Sequence, residues 1–413
     1  MLNSKNEREL CYVVTVDEIK EIPGRDFTEC AVVNGWNILV KKGQFEPGDA
    51  AIYFEIDSKV PETEPFAFLE PKHYKIKTQK YKTPEGQFWS QGLLMAAEDF
   101  GWVVHVEPLG GVRTEVIVDD KGKAHYPDDE SRFLTAALGV TYAEASDNTR
   151  KAAAADKYKR MAQRHGKLFS RQPFRWLMKR TWGKKLLFLF FGKKRDKKSS
   201  WPTWVQKTDE ERVQNMPWIL NDKNPWVATE KIDGTSTTFT MKRKKFEKFD
   251  FYICSRNVVF DKPNKKCYYD TNVYTEMAEK YQIEDKMKKM MNSRFSDCEW
   301  ITIQGETYGA GIQKRDYSTK EHGFMAFNFI TSKEGRWNTV DMKEYLEKEN
   351  GIPCVPIVDK EFILPDTVEE ILEYATGESV LDRGMREGIV VRSVDGSKSF
   401  KAVSNEFLDK YHR

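Results

Sequence analysis

The stretch Lys231-Ile232-Asp233-Gly234 lies near the middle of a 413-residue chain, and the interpretation of the fold starts from it. Alternate side chains on a strand share one face, so Lys231 and Asp233 are expected to point into one cleft. Gly234 would then let the backbone turn sharply. A motif this short also fits an ordinary strand end, so the surrounding sequence has to decide between the two interpretations.

The composition indicates a folded protein of about two domains. With 39% hydrophobic and 13% aromatic residues, a chain of this length can bury real cores. The longest apolar block, 186–191, is far too short to span a membrane, and no early segment resembles a signal peptide. We therefore expect a soluble intracellular protein, cytoplasmic or nuclear. The six cysteines lack Cys-x-x-Cys spacing, which favours reduced packing residues over a zinc site or a disulfide framework.

Residues 150–198 carry the strongest charge asymmetry in the chain. They contain 18 Lys and Arg but only two acidic residues, Asp156 and Asp196, although the net charge of the whole chain is +3. Interleaved with aromatic residues, this composition suits phosphate contact and base stacking. Two alternatives stay open: a basic amphipathic segment lying on an anionic membrane, or a solvated helical connector between domains.

Turn residues and apolar runs divide the chain into three regions. In residues 1–110, apolar runs at 10–16, 30–33, 36–41 and 51–56 alternate with Pro-Gly and Asn-Gly turns, which predicts a small closed β-barrel. Residues 111–200 are interpreted as a polar, irregular and then basic helical connector. Residues 201–413 predict an α+β domain with largely antiparallel sheets. Its predicted strands are 226–231, 235–241, 251–255, 300–304, 324–330, 388–392 and 399–403, and its predicted helices are 271–292 and one opened by a capping box at Thr367 and Glu370.

Six motifs of this domain, taken in order, resemble those of the covalent nucleotidyltransferases, the superfamily of DNA ligases, RNA ligases and mRNA capping enzymes. One such motif is weak evidence, whereas six in the family's order are specific. The motifs are Lys231-Ile232-Asp233-Gly234, Ser255-Arg256-Asn257, Gly305-Glu306, Phe324-Met325-Ala326-Phe327-Asn328, Glu387-Gly388-Ile389-Val390 and Phe400-Lys401.

The order of the domains distinguishes between families of this superfamily. DNA ligases and capping enzymes place an OB barrel after the final lysine motif, but only 12 residues follow Lys401. Residues 8–100 instead resemble the N-terminal OB module of a nick-sealing RNA ligase family, and residues 207–215 resemble the segment that precedes the nucleophile in that family. A helix start is the simpler interpretation of this segment, because Thr208 and Glu211 have capping-box spacing.

The residue types also suit this chemistry. A lysine amine has an ordinary pKa of about 10.4, so a nucleophilic lysine needs neighbouring cations or desolvation to lose its proton. Attack on an α-phosphate builds negative charge that cations must already face. Magnesium prefers oxygen ligands and keeps several waters, so carboxylates need only gather around it.

The resemblance implies a three-step reaction and a set of site residues. Lys231 would form lysyl-AMP from ATP, AMP would pass to an RNA 5′-phosphate, and a 3′-OH would displace AMP and seal a nick in duplex RNA or an RNA-containing duplex. Mg²⁺ or Mn²⁺ would assist, and the enzyme would act as a monomer without stable membrane association. Among the implied residues, Asp233, Glu306 and Glu387 hold the metal, Phe327 stacks on adenine, Arg256 contacts the ribose or the nucleic-acid end, Lys401 binds the α-phosphate, and Glu230 contributes to nucleotide binding.

The sequence departs from the family pattern at two positions. Asn328 stands where related RNA ligases often have aspartate, and Ser399 stands where some have a lysine, with Lys398 next to it. Simpler roles also exist for single residues: core packing for Phe327, and solvent-exposed charges for Glu306, Glu387 and Arg256. Two other functions stay open, a ligase of DNA or RNA–DNA hybrids and a non-catalytic nucleic-acid-binding protein on a ligase fold.

Overall fold

The computed structural model describes residues 1–3, 8–84, 86–109, 112–118, 124–125, 132–142, 172–178, 180, 182–183, 186–187, 201–260 and 271–411. The chain forms two compact units, Met1–Thr141 with Trp201–Arg413, and Tyr142–Ser200. The second unit contains helix α1 (Gln172–Met178), which lies in the predicted basic segment; most of that segment falls outside the described residues. In the part of the chain that is described, none of the helices is both long and apolar enough to span a bilayer.

The N-terminal region is built from two three-stranded antiparallel sheets, with strand orders β1-β5-β9 and β2-β3-β4. Strands and turns fall close to the predicted runs, and Asn34 adopts the left-handed conformation (φ 52°) expected of the Asn-Gly turn. The strands are β1 (Cys11–Thr15), β2 (Glu18–Glu21), β3 (Thr28–Val33), β4 (Trp36–Lys41), β5 (Ala50–Phe54), β6 (Ser58–Lys59), β7 (Gln79–Thr83), β8 (Gly86–Ser90) and β9 (Leu93–Met95).

Residues 112–118 and 124–125 contradict the prediction of an irregular region from residue 111 onward. Here β10 (Val103–Leu109) and β11 (Val112–Val118) form an antiparallel pair, and β12 (Ala124–His125) pairs with β11. The β-branched residues of Val112–Val118 favour a strand, and the polar residues around them concealed this pattern in the sequence. Strand β13 (Thr141–Tyr142) follows.

The C-terminal region contains a four-stranded sheet of order β21-β14-β22-β23 and a six-stranded sheet of order β17-β16-β15-β18-β19-β20. Every neighbouring pair in both sheets is antiparallel, as predicted. The strands are β14 (Trp226–Lys231), β15 (Thr235–Arg243), β16 (Phe249–Ser255), β17 (Val259–Phe260), β18 (Trp300–Gly309), β19 (His322–Thr331), β20 (Gly335–Arg336), β21 (Ile357–Phe362), β22 (Gly388–Ser393) and β23 (Ser399–Val403).

The helices of this region only partly follow the predictions. The predicted helix over 271–292 is divided into α2 (Val273–Lys280) and α3 (Ile283–Asn292), because Gln282 between them is left-handed (φ 53°). Helices α4 (Thr339–Lys343), α5 (Val368–Ala375) and α6 (Asn405–Tyr411) follow. The capping box that opens α5 is confirmed: the Glu370 N–H donates to Thr367 Oγ1 at 3.2 Å. The helix start at Thr208 was wrong, because residues 208–211 have no regular secondary structure and the first helical turn is the 3₁₀ turn at Val213–Asn215.

Each C-terminal sheet buries one face. Helices α2 and α3 pack on the six-stranded sheet around residues such as Phe239 and Ile303, and α5 packs on the four-stranded sheet around Ile389 and Phe400. Because neighbouring positions on a strand point to opposite faces, polar candidates such as Glu306 and Lys401 lie on the faces without helices.

A third hydrophobic cluster joins the N-terminal and C-terminal regions of the first unit. Val403 and Leu408 pack in one core with Tyr12, Trp36 and Tyr53 of the N-terminal sheets. The five cysteines among the described residues are free and buried, as predicted, and Cys267 lies outside the described residues.

Candidate active site

Lys231 is the last residue of β14 and lies opposite Gly388 at the start of β22. This pairing places its amine beside the residue before Gly388, so that Lys231 Nζ is 2.7 Å from Glu387 Oε1. The Lys231 side chain is 25% exposed, so part of it is open to solvent. Two residues of distant predicted motifs therefore form one ion pair.

Asp233 and Glu306 complete a group of three carboxylates around this amine. Burial raises the pKa of Asp233 to about 8, and the Glu387 charge adds to the effect. Burial likewise raises the pKa of Glu306 to about 8; Lys231 opposes this shift, while Glu387 and Asp233 reinforce it. Burial alone would lower the pKa of Lys231, but Glu387, Glu306 and Asp233 outweigh it and hold that pKa above its ordinary value. The four side chains thus share one electrostatic field.

Gly234 is required by close packing. A Cβ at this position would lie 2.3 Å from the Thr307 carbonyl oxygen and 2.8 Å from Glu306 Cγ. The missing side chain lets the start of β15 approach β18, where Ser236 pairs with Glu306. The sequence predicted a turn at this glycine, whereas its structural effect is to bring Asp233 and Glu306 together.

Tyr317 supports the backbone two residues after Lys231, and sequence reasoning missed it. The Asp233 N–H donates to the Tyr317 hydroxyl at 2.6 Å. The Tyr317 ring is buried and lies under the Arg315 guanidinium, 4.1 Å from the ring centroid. Arg315 in turn donates to both carboxylate oxygens of Asp382, at 3.0 and 2.6 Å. No local motif marks this series of contacts, because Asp233, Tyr317 and Asp382 are far apart in the sequence.

The carboxylates do not form a preorganised metal cage. Among the described residues, no group of three or more His, Cys, Asp or Glu side chains is close enough to hold a metal ion directly. The donor set still suits a hard divalent cation bound partly through water. Glu387 Oε2 is buried with no hydrogen-bond partner in the described part of the chain. The pKa values of Asp233 and Glu306 are raised first by burial and then by neighbouring carboxylates, and a bound cation would lower both.

Phe327 is the extra residue of a β-bulge in β19. Gln304 of β18 pairs with Asn328, and the next residue, Gly305, pairs with Ala326, so Phe327 has no partner in the register. Its ring is partly buried in a cluster that includes Ile232, the residue after Lys231. Bulges redirect side chains next to functional sites, and this one sends an aromatic ring to the cluster beside Lys231.

Lys401 and Arg256 meet at a residue that was not among the predicted site residues. Lys401 Nζ donates to Asp209 Oδ1 at 2.5 Å, and Arg256 donates to Asp209 Oδ2 at 2.7 Å. Lys401 pairs with Val390, and Val390 pairs with Thr229. Cross-strand partners and positions two apart on a strand point to the same face, so Lys401 shares a sheet face with Lys231. The only sequence signal for Asp209 was its place in the segment that resembles the lead-in to the nucleophile.

Other positions lie apart from this group. The Glu230 carboxylate accepts from Ser379 Oγ at 2.6 Å and from the Val380 N–H at 2.8 Å, on the strand face opposite to Lys231. Lys398 is exposed and lies 3.4 Å from Asp222. The Asn328 amide donates to Gln304 Oε1 at 3.0 Å.

Two family models match the chain. Residues 224–403 match the RNA ligase model, and residues 10–95 match a PHA02142 OB-fold domain. The first match spans the nucleophile motif to the end of β23, and the second spans both N-terminal sheets. Comparison with curated protein sequences gives no match.

Solved structures of an RNA ligase from Naegleria gruberi share the fold. The complex with PPi has a TM-score of 0.66 and 24% identity, and a mutant with ATP and Mn has a TM-score of 0.66 and 23% identity. A mutant with AMP and Mn has a TM-score of 0.67 and 24% identity. Each comparison covers 98% of this chain and 99% of the Naegleria chain. An N-terminal OB fold followed by a sheet-rich α+β domain is therefore the architecture of the chain, as predicted.

Proposed function

We propose that this chain is an ATP-dependent RNA ligase that acts through a covalent lysyl-AMP, because residues 224–403 match the RNA ligase family model. The observation that carries the proposal is the Lys231 amine, 2.7 Å from Glu387 and under the electrostatic influence of the Asp233 and Glu306 carboxyl groups. A surface lysine would not need three carboxyl groups from separate segments of the chain.

In the first step, Lys231 Nζ attacks the α-phosphorus of ATP. A P–N bond forms, the bond from the α-phosphorus to the bridging oxygen breaks, and pyrophosphate leaves. The attacking amine must be unprotonated, yet the three carboxylates favour the ammonium form. A bound Mg²⁺ or Mn²⁺ would supply the positive charge that lowers the amine pKa and offsets charge on the phosphate. Asp233, Glu306 and Glu387 are the residues that would hold it.

The remaining side chains bind and orient the nucleotide. The Phe327 ring would stack on adenine, since the bulge directs it into the cluster beside Lys231. Lys401 would face the α-phosphate from the sheet face that also carries Lys231. Arg256 would contact the ribose or the end of the nucleic acid, because its planar fork suits phosphate and hydroxyl oxygens. Structures of the Naegleria ligase, which shares this fold, contain ATP or AMP and Mn, and this supports ATP and a divalent metal as ligands of the chain.

In the later steps, AMP passes from Lys231 to an RNA 5′-phosphate, and a 3′-OH then displaces AMP and seals the strand. We infer that the substrate is a nick in duplex RNA or an RNA-containing duplex, as in RNA repair. Support comes from the N-terminal OB fold, a common nucleic-acid-binding module, which shares a core with Val403 and Leu408 of the ligase domain.

Incubation of the protein with α-labelled ATP and magnesium tests the first step. An acid-labile label on the polypeptide is expected, and a protein that stays unlabelled at any pH contradicts the proposal. Nicked duplexes that differ only in ribose or deoxyribose at the 3′-OH strand test the substrate. Faster sealing of the ribose end is expected, whereas equal sealing of both would favour a broader DNA and RNA–DNA hybrid ligase.

A further inference from the structure

The segment before the nucleophile motif places an acidic residue between two of the cations assigned to the nucleotide. We propose that Asp209 is a positioning residue of the transfer reaction, which holds Lys401 and Arg256 as one pair at the edge of the cleft. The inference rests on the proposed function, because it concerns how those two cations meet ATP.

The contacts are direct and use both oxygens of the carboxylate. Oδ1 of Asp209 accepts from Lys401 at 2.5 Å, and Oδ2 accepts from Arg256 at 2.7 Å. The Asp209 and Lys401 side chains are only 13% and 11% exposed. An ammonium has three N–H donors and a guanidinium has five, so both cations keep donors for a phosphate while they are held. Asp209 therefore fixes the two cations while some of their N–H groups remain free to bind a phosphate.

The backbone fixes the position of Asp209. The Lys401 N–H donates to the Glu211 carbonyl oxygen at 2.7 Å, and Arg212 forms a parallel bridge with Lys401. On the other side, Thr208 Oγ1 and Ser236 Oγ are 3.3 Å apart. The segment is thus tied to β23 on one side and to β15 on the other. Asp209 lies between these ties, and its carboxylate has a defined place.

The charge of Lys401 also depends on Asp209. Burial lowers the pKa of Lys401, and the positive charges of Arg8 and Arg212 add to this effect, while Asp209 opposes both. In the other direction, Lys401 and Arg256 outweigh the burial of Asp209 and keep the pKa of its carboxyl well below the usual range. Asp209 therefore stays ionised and helps Lys401 to remain a cation facing the α-phosphate.

The neighbouring residue provides a matched comparison for simple anchoring. Glu210 accepts from Arg392 at 2.9 Å and lies 3.7 Å from Arg336. Within the described residues, neither Lys401 nor Arg256 is a hydrogen-bond or ion-pair partner of Glu210. Loss of either acidic side chain would loosen the same segment, but only loss of Asp209 would release the two cations.

A double-mutant cycle on the full chain separates the two roles. Asp209→Asn and Glu210→Gln would each be made alone and together with Lys401→Ala, and both lysyl-AMP formation and the Kd of ATP would be measured. We expect Asp209→Asn alone to raise KM and Kd for ATP by roughly 10-fold and to add less than about 3-fold in the Lys401→Ala background. The effect of Glu210→Gln should be the same in both backgrounds. Asp209→Glu, which restores the charge, should recover part of the affinity.

Two results would overturn the inference. An equal effect of Asp209→Asn with and without Lys401 would mean that Asp209 only anchors the segment. Tighter ATP binding by Asp209→Asn would mean that the carboxylate competes with the phosphate. The Kd remains measurable where catalysis is lost, and thermal unfolding identifies a variant that fails to fold; Asp209→Glu then supplies the comparison. If the wild-type protein binds ATP but forms no lysyl-AMP, the proposed function fails, whereas the cycle on Kd still reports on Asp209.

Discussion

The amine of Lys231 and the carboxylate of Glu387 lie 2.7 Å apart. Lys231 pairs across the sheet with Gly388, and Glu387 is the residue before Gly388. The amine of the proposed nucleophile is therefore held by the residue that precedes the neighbouring strand β22, and not by a residue of its own segment. This geometry fixes the position of the amine before any nucleotide binds. It also makes the protonation of the amine depend on carboxyl groups from three separate segments of the chain: Asp233 after β14, Glu306 in β18 and Glu387 before β22.

Replacement of Lys231 should abolish transfer of label from ATP. Lys231→Ala lacks the amine, and Lys231→Arg carries a guanidinium that stays protonated, so both variants should fall below detection in the lysyl-AMP assay. Lys223→Ala is the matched control, because Lys223 is an exposed lysine paired with Asp366 on the surface. Label retained by either Lys231 variant would show that another residue is the nucleophile.

The stability of the metal-free protein should fall as the pH rises. The pKa values of Asp233 and Glu306 are about 8 in the folded protein, above those of unfolded chains, so the folded state binds more protons between about pH 4 and pH 8. The stabilisation from these extra bound protons is fully present below the pKa values of the unfolded chain and is lost as the pH rises through 8. Asp233→Asn and Glu306→Gln should each raise the melting temperature at pH 8.5 by about 2–4 °C, and by less at pH 5.

Mn²⁺ provides an independent measurement of the same carboxylates. Added metal should raise the melting temperature of the wild-type protein at pH 8.5 more than at pH 5, since protons compete for the oxygens. The gain should shrink in Asp233→Asn. A melting temperature that does not change with pH or metal would contradict the proposed field around Lys231.

Glu55 should make the protein sensitive to acid. Its burial alone would raise its pKa, but the Met1 amino group and Arg8 hold that pKa at about 2. The stabilisation is present above the unfolded pKa of about 4.5 and is lost as the pH falls towards 2. Glu55→Gln should lower the free energy of unfolding at pH 7 by on the order of 3 kcal/mol, with a smaller difference at pH 3. Denaturant unfolding at the two pH values checks this, and a constant difference would rule out the titration.

Phe327→Ala should weaken ATP binding without disrupting the sheet. Aromatic stacking on a base contributes about 1–3 kcal/mol, so the Kd of ATP should rise by roughly 5- to 150-fold, while Phe327→Trp retains most of the affinity. Phe246→Ala is the control, because Phe246 is 89% exposed on a hairpin loop. Unchanged ATP binding by Phe327→Ala would return this ring to a packing role.

Sequence reasoning predicted the features that depend on local pattern. The bounds of β14 and β23 were predicted to the residue, because apolar and β-branched runs end there at recognisable motifs. The break at Gln282 was missed, because a single left-handed residue leaves no periodic signal within a helical pattern.

The relations that depend on tertiary contacts were also missed. Asp209 and Tyr317 acquire their partners only when distant segments are packed together, as in the hydrogen bond from Asp233 to Tyr317. The register skip at Phe327 is equally hidden, because it is a property of two strands and not of one.

That skip means that β19 contains one residue more than its hydrogen-bond ladder needs. A chain with Phe327 excised would align Asn328 with Gln304 and Ala326 with Gly305 in unbroken succession, and each side chain would keep its present face. Loss of the single codon for Phe327 would therefore remove the aromatic ring and leave the pairing of β18 with β19 unbroken.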